Sequence, residues 1–169
     1  LSADKRLGAL WALEGLASVP TPLLIALAES PSANLRHEAV RIAAAQPRPE
    51  TEFLAVAAAL VDDPAPNVRA ALGDALRRVP DAGPEVIALM LRLGKAPLPG
   101  ESWESYDREF ERFLARWAME RNGQAVQDFL ASPLGQEMPL ENRVLATLAL
   151  EGAASATALA QLMPQLQRP

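Results

Sequence analysis

Small and apolar residues recur along the chain at helical spacing. The recurring unit is an arginine followed by small or apolar residues three, six and seven positions later, which places them along one face of an α-helix. Five copies occur, and their arginines are Arg6, Arg36, Arg69, Arg112 and Arg143. The small residues are mostly alanine, which favours the helix intrinsically and lets another helix approach closely. The pattern therefore predicts five helices that pack through this face.

A second set of apolar segments lies between these copies. They span residues 22–29, 50–61, 84–93, 124–131 and 156–166, and each is bounded by Pro, Gly or Ser. Each is long enough for two or three helical turns. No stretch alternates convincingly with a period of two, which disfavours a sheet. The sequence thus predicts an all-α protein with ten helices in five antiparallel pairs.

The spacing of the copies indicates a repeat architecture. Successive arginines are separated by 30, 33, 43 and 31 residues, and periods of 20–50 residues are typical of solenoids. Stacked pairs bury one continuous core that a single pair cannot form. We predict a single repeat domain over residues 1–169, with repeats at about 1–30, 31–62, 63–96, 97–133 and 134–169. We also expect the chain to be part of a longer protein.

The closest match to a known signature lies in the third copy. The stretch 63–76, Asp-Pro-Ala-Pro-Asn-Val-Arg-Ala-Ala-Leu-Gly-Asp-Ala-Leu, resembles the turn and helix of the HEAT-repeat superfamily. The resemblance implies a right-handed α-α superhelix, a HEAT-like solenoid of about five helical hairpins. It also implies that Asp63, Arg69 and the other repeat arginines tie adjacent repeats together. Because Ser30 stands where aspartate is usual, this ladder is expected to be incomplete.

A narrower likeness concerns residues 10–16, Leu-Trp-Ala-Leu-Glu-Gly-Leu, followed by proline-punctuated repeats. This stretch resembles the helical segment of large secreted bacterial proteins that join a dehydrogenase-like propeller to a cytochrome c domain. The likeness implies an extracytoplasmic protein whose redox chemistry belongs to other domains. Without that likeness, we expect a cytoplasmic protein.

Composition excludes several kinds of chemistry. The chain has no cysteine and one histidine, His37, which excludes thiolate metal sites and cysteine nucleophiles. No Gly-x-Ser-x-Gly elbow or glycine-rich phosphate loop occurs. The net charge of −5 disfavours nucleic-acid binding by phosphate neutralisation. No apolar run approaches the roughly 20 residues that span a bilayer. We therefore predict neither an enzyme nor a cofactor, and place His37 on an exposed helix position.

The long step between the third and fourth arginines marks the best candidate site. The extra residues fall in an insertion at 96–107, where two prolines and a glycine prevent a helix until Ser102, a candidate N-cap. The candidate partner-binding residues are Trp103, Glu104, Tyr106 and Asp107, because insertions on rigid repeats often bind ligands. Alternatively, the two aromatic residues cover the apolar edge of a longer hairpin.

Other charged and aromatic residues are interpreted as structural. The carboxylates of the insertion could form an acid–base pair or a Ca²⁺ site, but their spacing does not show that two converge. Trp11 and Trp117 are expected to pack in the core or between repeats, with an interface anchor as the alternative. A stripe of Arg108, Arg112, Arg116 and Arg121 is interpreted as a salt-bridged surface because acidic residues accompany it.

The predicted function is a non-catalytic interaction or scaffolding module. Its concave face would bind a protein partner or flanking domains of the same chain. One alternative is a nucleic-acid-binding or DNA-glycosylase-like HEAT protein, which the acidic total disfavours. Another is a cofactor-attachment accessory, which a buried pocket lined by Trp103 and Tyr106 would favour. The oligomeric state stays open.

Overall fold

A computed structural model describes residues 3–16 and 19–166 of the chain. Over these residues it contains eleven α-helices, two short 3-10 helices and no strand, so the prediction of an all-α HEAT-like repeat fold is confirmed. The contacts divide the chain into two compact units, Leu1–Val79 and Pro80–Pro169. The predicted repeat boundaries stay predictions.

The first unit is built around its third helix. Its helices are α1 Ala3–Gly15, α2 Thr21–Ala28, α3 Ala33–Ala45, α4 Glu50–Ala57 and α5 Pro66–Arg78. A 3-10 turn at Ala58–Leu60 extends α4. Proline stands in the first turn of α2 and α5, where its fixed φ suits the helix and no amide hydrogen is needed. α3 packs against α2, α4 and α5, and Leu35 and Ile42 are fully buried between them.

The second unit is built around the apolar helix α6. Its helices are α6 Pro84–Leu93, α7 Trp103–Glu120, α8 Gly123–Ala131, α9 Pro133–Glu137, α10 Leu140–Leu148 and α11 Gly152–Leu162, followed by a 3-10 turn at Met163–Gln165. α6 contacts α7, α8 and α10. Gly94 ends α6 at a point so crowded that an added Cβ would strike the side chain of Leu145.

The short helix α9 is absent from the predicted ten helices. Five residues are too few for an apolar periodicity to show, but Ser132 caps the helix by accepting a hydrogen bond from the Gly135 amide at 3.1 Å. Gly135 lies against the backbone of Phe129, where a Cβ would clash with main-chain atoms. The turn is therefore set by a cap and a glycine, which are local signals that the apolar pattern does not carry.

The alanine face predicted from the repeat is buried in four of its five copies. Ala39, Ala75, Ala115 and Ala146, which belong to copies two to five, are at most 1% exposed. The first copy differs, because Ala9 and Ala12 are exposed. An open cleft lies beside this helix, lined by Arg6 and the apolar side chains of α1 and α2.

Candidate functional site

Part of the insertion at 96–107 lengthens the helix that follows it. α7 begins nine residues before Arg112, whereas α3 and α5 begin three residues before Arg36 and Arg69. The prediction that Ser102 caps this helix is confirmed, since its side chain accepts a hydrogen bond from the Ser105 amide at 3.1 Å. The extra turns carry Trp103 and Tyr106 at the start of α7.

The loop before α7 is tied to the first turn of the helix. The hydroxyl of Ser105 is buried and lies 3.0 Å from the carbonyl oxygen of Leu98 and 2.9 Å from that of Gly100. Gly100 has a φ of 85°, a conformation that favours glycine. These contacts fix the position from which α7 begins and so position its aromatic side chains.

Five aromatic residues form a continuous exposed surface along α7, which we call the aromatic stripe: Trp103, Tyr106, Phe110, Phe113 and Trp117. They alternate at spacings of three and four residues, so they lie on one face of the helix. Their exposed fractions run from 40% for Trp117 to 85% for Trp103. The ring centroid of Phe113 lies 6.2 Å from that of Phe110 and 5.8 Å from that of Trp117, and both pairs are stacked.

The structure brings Trp103 and Tyr106 into this stripe, with Glu104 exposed and Asp107 half-buried beside them. The alternative that the two aromatics cover an apolar edge is not supported, because they are 85% and 64% exposed. A buried cofactor pocket built on them is therefore not supported.

The burial expected for Trp11 and Trp117 was wrong, since they are 53% and 40% exposed. Both stand five residues after a repeat arginine, and the same position holds the charged residues Arg41 and Asp74 in the second and third copies. Comparison of the copies with one another would have placed this position on the solvent side. The omission of Phe110 and Phe113 from the predicted site has a similar cause, because apolar character alone does not show which helix face is covered.

The arginines of α7 are held by neighbouring groups. Arg108 lies 3.4 Å from Glu111, and Arg116 lies 3.2 Å from Glu120. Arg112 donates hydrogen bonds to the carbonyl oxygens of Gly94 and Lys95 at 3.1 and 2.7 Å, and burial lowers its pKa. The pairings of Arg108 and Arg116 agree with the interpretation of a salt-bridged surface, whereas Arg112 binds main-chain oxygens instead.

A polar network joins α1 to α3. The indole of Trp11 donates to Glu38 at 2.7 Å, and Arg41 donates to both Glu14 oxygens at 2.9 and 2.6 Å and to Glu38. Burial alone would raise the pKa of Glu38, but the hydrogen bonds from Arg41 and Trp11 outweigh it and hold that pKa below its ordinary value. Trp11 therefore reaches the second helical pair through a hydrogen bond, although its ring is exposed.

Asp63 connects two of the repeat arginines. Arg36 donates from Nε and Nη2 to its two carboxylate oxygens at 2.6 and 2.8 Å, and Arg69 donates to its carbonyl oxygen at 2.5 Å. Burial opposes ionisation, yet the hydrogen bonds from Arg36 and the Ala65 amide hold the pKa of Asp63 below its ordinary value. Of the other repeat arginines, Arg6 is exposed and Arg143 is buried.

The remaining polar side chains of the described residues include His37 and a small cluster beside a cavity. His37 is half-buried rather than fully exposed, and its Nδ1 lies 3.1 Å from Glu38. In a cavity of about 730 Å³ near Pro20 and Pro49, the polar groups of Thr21, Arg48 and Glu52 bond to one another. Within residues 3–16 and 19–166, no group of three His, Cys, Asp or Glu side chains is arranged to hold a metal ion.

The same part of the chain has no helix with the length and apolar character needed to cross a membrane. Comparison with known families matches residues 20–99 to a model described as HEAT repeats. No curated protein and no solved structure matches the chain significantly.

Proposed function

Because the chain belongs to the HEAT-repeat superfamily, whose members generally act as protein-interaction or scaffold modules, we propose that it is a non-catalytic protein-interaction module. We further propose that its partner docks on the aromatic stripe of α7. The single observation behind this assignment is the exposure of five aromatic side chains on one helix face. Water-exposed aromatic area of this kind is unfavourable in isolation and marks interaction surfaces.

The chemistry of the stripe suits a protein partner. Trp and Tyr are enriched at interface hot spots, where they bury large area at a small cost in side-chain entropy. An apolar row with three- and four-residue spacing is also the face through which helices pair. The charges along α7 are of both signs, with Glu104, Asp107 and Glu109 in its first half and Arg116 and Arg121 toward its C-terminal end. We therefore propose a partner that presents an apolar helix face rather than a strongly charged one.

Trp103, Glu104, Tyr106 and Asp107 are proposed as partner-binding residues at the start of this surface. The aromatic anchors supply the affinity, and the two carboxylates at the rim favour a correctly oriented partner. Binding by the concave face of the stack, and a role in linking flanking domains of a secreted redox protein, stay predictions.

Site-specific photo-crosslinking in the native cell tests this proposal. A benzoylphenylalanine placed at Phe113 is expected to capture one protein, while the same probe at Thr51, an exposed residue of α4, does not. Once the captured protein is purified, its affinity for this chain should fall by about tenfold or more when the chain carries Phe110→Ser or Phe113→Ser, as expected for hot-spot residues. Capture of a second copy of this chain would identify self-association through the stripe.

Unchanged circular dichroism and thermal midpoints in both serine variants would show that the fold is retained, since these side chains are exposed. Equal capture from both probe positions, or equal affinity of the wild type and the serine variants, would contradict the assignment of the stripe.

A further inference from the structure

A buried arginine in the second unit pairs with no carboxylate of residues 3–16 and 19–166. Arg143 of α10 is 8% exposed, and its Nε is buried without a hydrogen-bond partner. Nη1 donates to Gln165 at 3.0 Å and Nη2 donates to Gln136 at 2.9 Å, and both glutamines are neutral and exposed. No carboxylate of the described residues forms an ion pair with it. A buried charge without a counter-charge is unfavourable, so this guanidinium retains a capacity for an anion.

Arg36 shows what the same position of the repeat binds. Its Nε and Nη2 form one edge of the guanidinium, and this edge holds both oxygens of Asp63 at 2.6 and 2.8 Å. In Arg143 the same edge has an Nε without a partner and an Nη2 bonded to a neutral amide. A carboxylate here would replace one hydrogen bond to a neutral amide by two hydrogen bonds to an anion, in the bidentate geometry that arginine and carboxylate groups favour. The exposed side chain of Gln136 would have to move away.

A cavity beside this arginine is large enough for part of a peptide. Its volume is about 530 Å³, and it lies between α8, α10 and α11. Leu130, Leu150, Ala154 and Leu162 give it apolar walls, and among the described residues that line it only Arg143 is charged. Cavities of this size accommodate ligands much larger than a simple ion. The occupant must therefore combine an apolar body with a carboxylate.

We propose that this cavity, the Arg143 pocket, binds a peptide segment of another protein through an aspartate or glutamate carboxylate. The carboxylate would bond to Nε and Nη2 of Arg143, as Asp63 does to Arg36, and apolar neighbours in the segment would contact the pocket walls. This site is separate from the aromatic stripe and does not depend on it. The Asp63-Pro64 segment of this chain provides a natural probe, because its aspartate already pairs with a repeat arginine.

The test is the binding of a labelled peptide with the sequence of residues 60–78 to the full chain, followed by fluorescence anisotropy. Saturable binding is expected, weakened by about tenfold or more when the peptide carries Asp63→Asn or the chain carries Arg143→Met, as expected for loss of a charge-assisted pair. Arg121→Met, which removes an exposed charge from the same unit, should leave the affinity unchanged. Absence of binding at millimolar concentration, or equal binding of the asparagine peptide, would overturn the proposal.

Two further measurements guard against misfolding and against a different ligand. Because no described carboxylate pairs with Arg143, Arg143→Met should keep or raise the thermal midpoint, whereas Arg36→Met should lower it by several degrees. Equal decreases in the thermal midpoint of both variants would overturn the premise that Arg143 has no counter-charge among the described residues.

Hexanoate, compared with hexanamide as the neutral control, should displace the peptide only weakly. Displacement by hexanoate at the affinity of the peptide would overturn the assignment to a peptide and identify a site for a free carboxylate.

Discussion

At the scale of single residues, Asp63 forms a buried ion pair in the first unit. Its side chain is 3% exposed, and it accepts hydrogen bonds from the Arg36 guanidinium and the Ala65 amide. Asp63→Asn would leave the Arg36 charge buried without its counter-charge. We expect a loss of about 3 kcal/mol in the free energy of unfolding, as for other buried pairs that lose one partner. Urea unfolding at pH 7 measures this difference.

The lowered pKa of Asp63 gives the same pair a defined pH dependence. The folded-state pKa lies below the unfolded value of about 3.9, so the stabilisation is fully present above that value and is lost as the pH falls through the folded-state pKa. The wild type and Asp63→Asn should therefore converge in stability only below about pH 4. Asp128→Asn, which changes an exposed carboxylate bonded to Gln124, serves as the control. Equal stability of the wild type and Asp63→Asn at pH 7 would contradict the stabilising role of the Arg36–Asp63 pair.

At the scale of helices, the small residues under the repeat arginines set how closely the helices pack. Ala115 of α7 and Ala146 of α10 are fully buried, and Ala115 lies near Gly94 at the end of α6. Ala115→Leu or Ala146→Leu should each cost about 1–3 kcal/mol, because the added methyl groups overpack a close helix contact. Thermal unfolding followed at 222 nm measures the change. Ala160→Leu, at an exposed position of α11, should change stability by about 0.5 kcal/mol or less.

Helix positions followed from the sequence wherever the signals were local. The apolar segment 84–93 coincides with α6, and Ser102 caps α7, because proline, glycine and capping side chains act on their own turn of the chain. The aromatic stripe was found only in part, at Trp103 and Tyr106. An apolar residue at helical spacing suits a buried face and an interaction face equally, so periodicity could not assign Phe113 or Trp117 to solvent.

At the scale of the whole chain, the sequence predicted the repeat family but not the division of the contacts into two units. The five copies share one motif, so the motif contains no information on where the contacts divide. The boundary falls beside the stretch Val79-Pro80-Asp81-Ala82-Gly83-Pro84, whose prolines and glycine interrupt the helices. The contacts on each side of it are mostly internal to one unit.

This division predicts that the second unit folds without the first. Its core residues Met90, Leu91, Met119 and Phe129 come from α6, α7 and α8, which pack on one another within residues 80–169. A fragment of residues 80–169 should therefore show a helical far-ultraviolet circular dichroism spectrum and a cooperative urea transition. Each repeat has an intrinsic stability in addition to the stability that its interfaces with neighbouring repeats provide. The Gly94→Leu variant of the same fragment, which forces a side chain against Leu145 and Ala115, should unfold at lower urea. A wild-type fragment with a random-coil spectrum would show that the core of the second unit does not form independently.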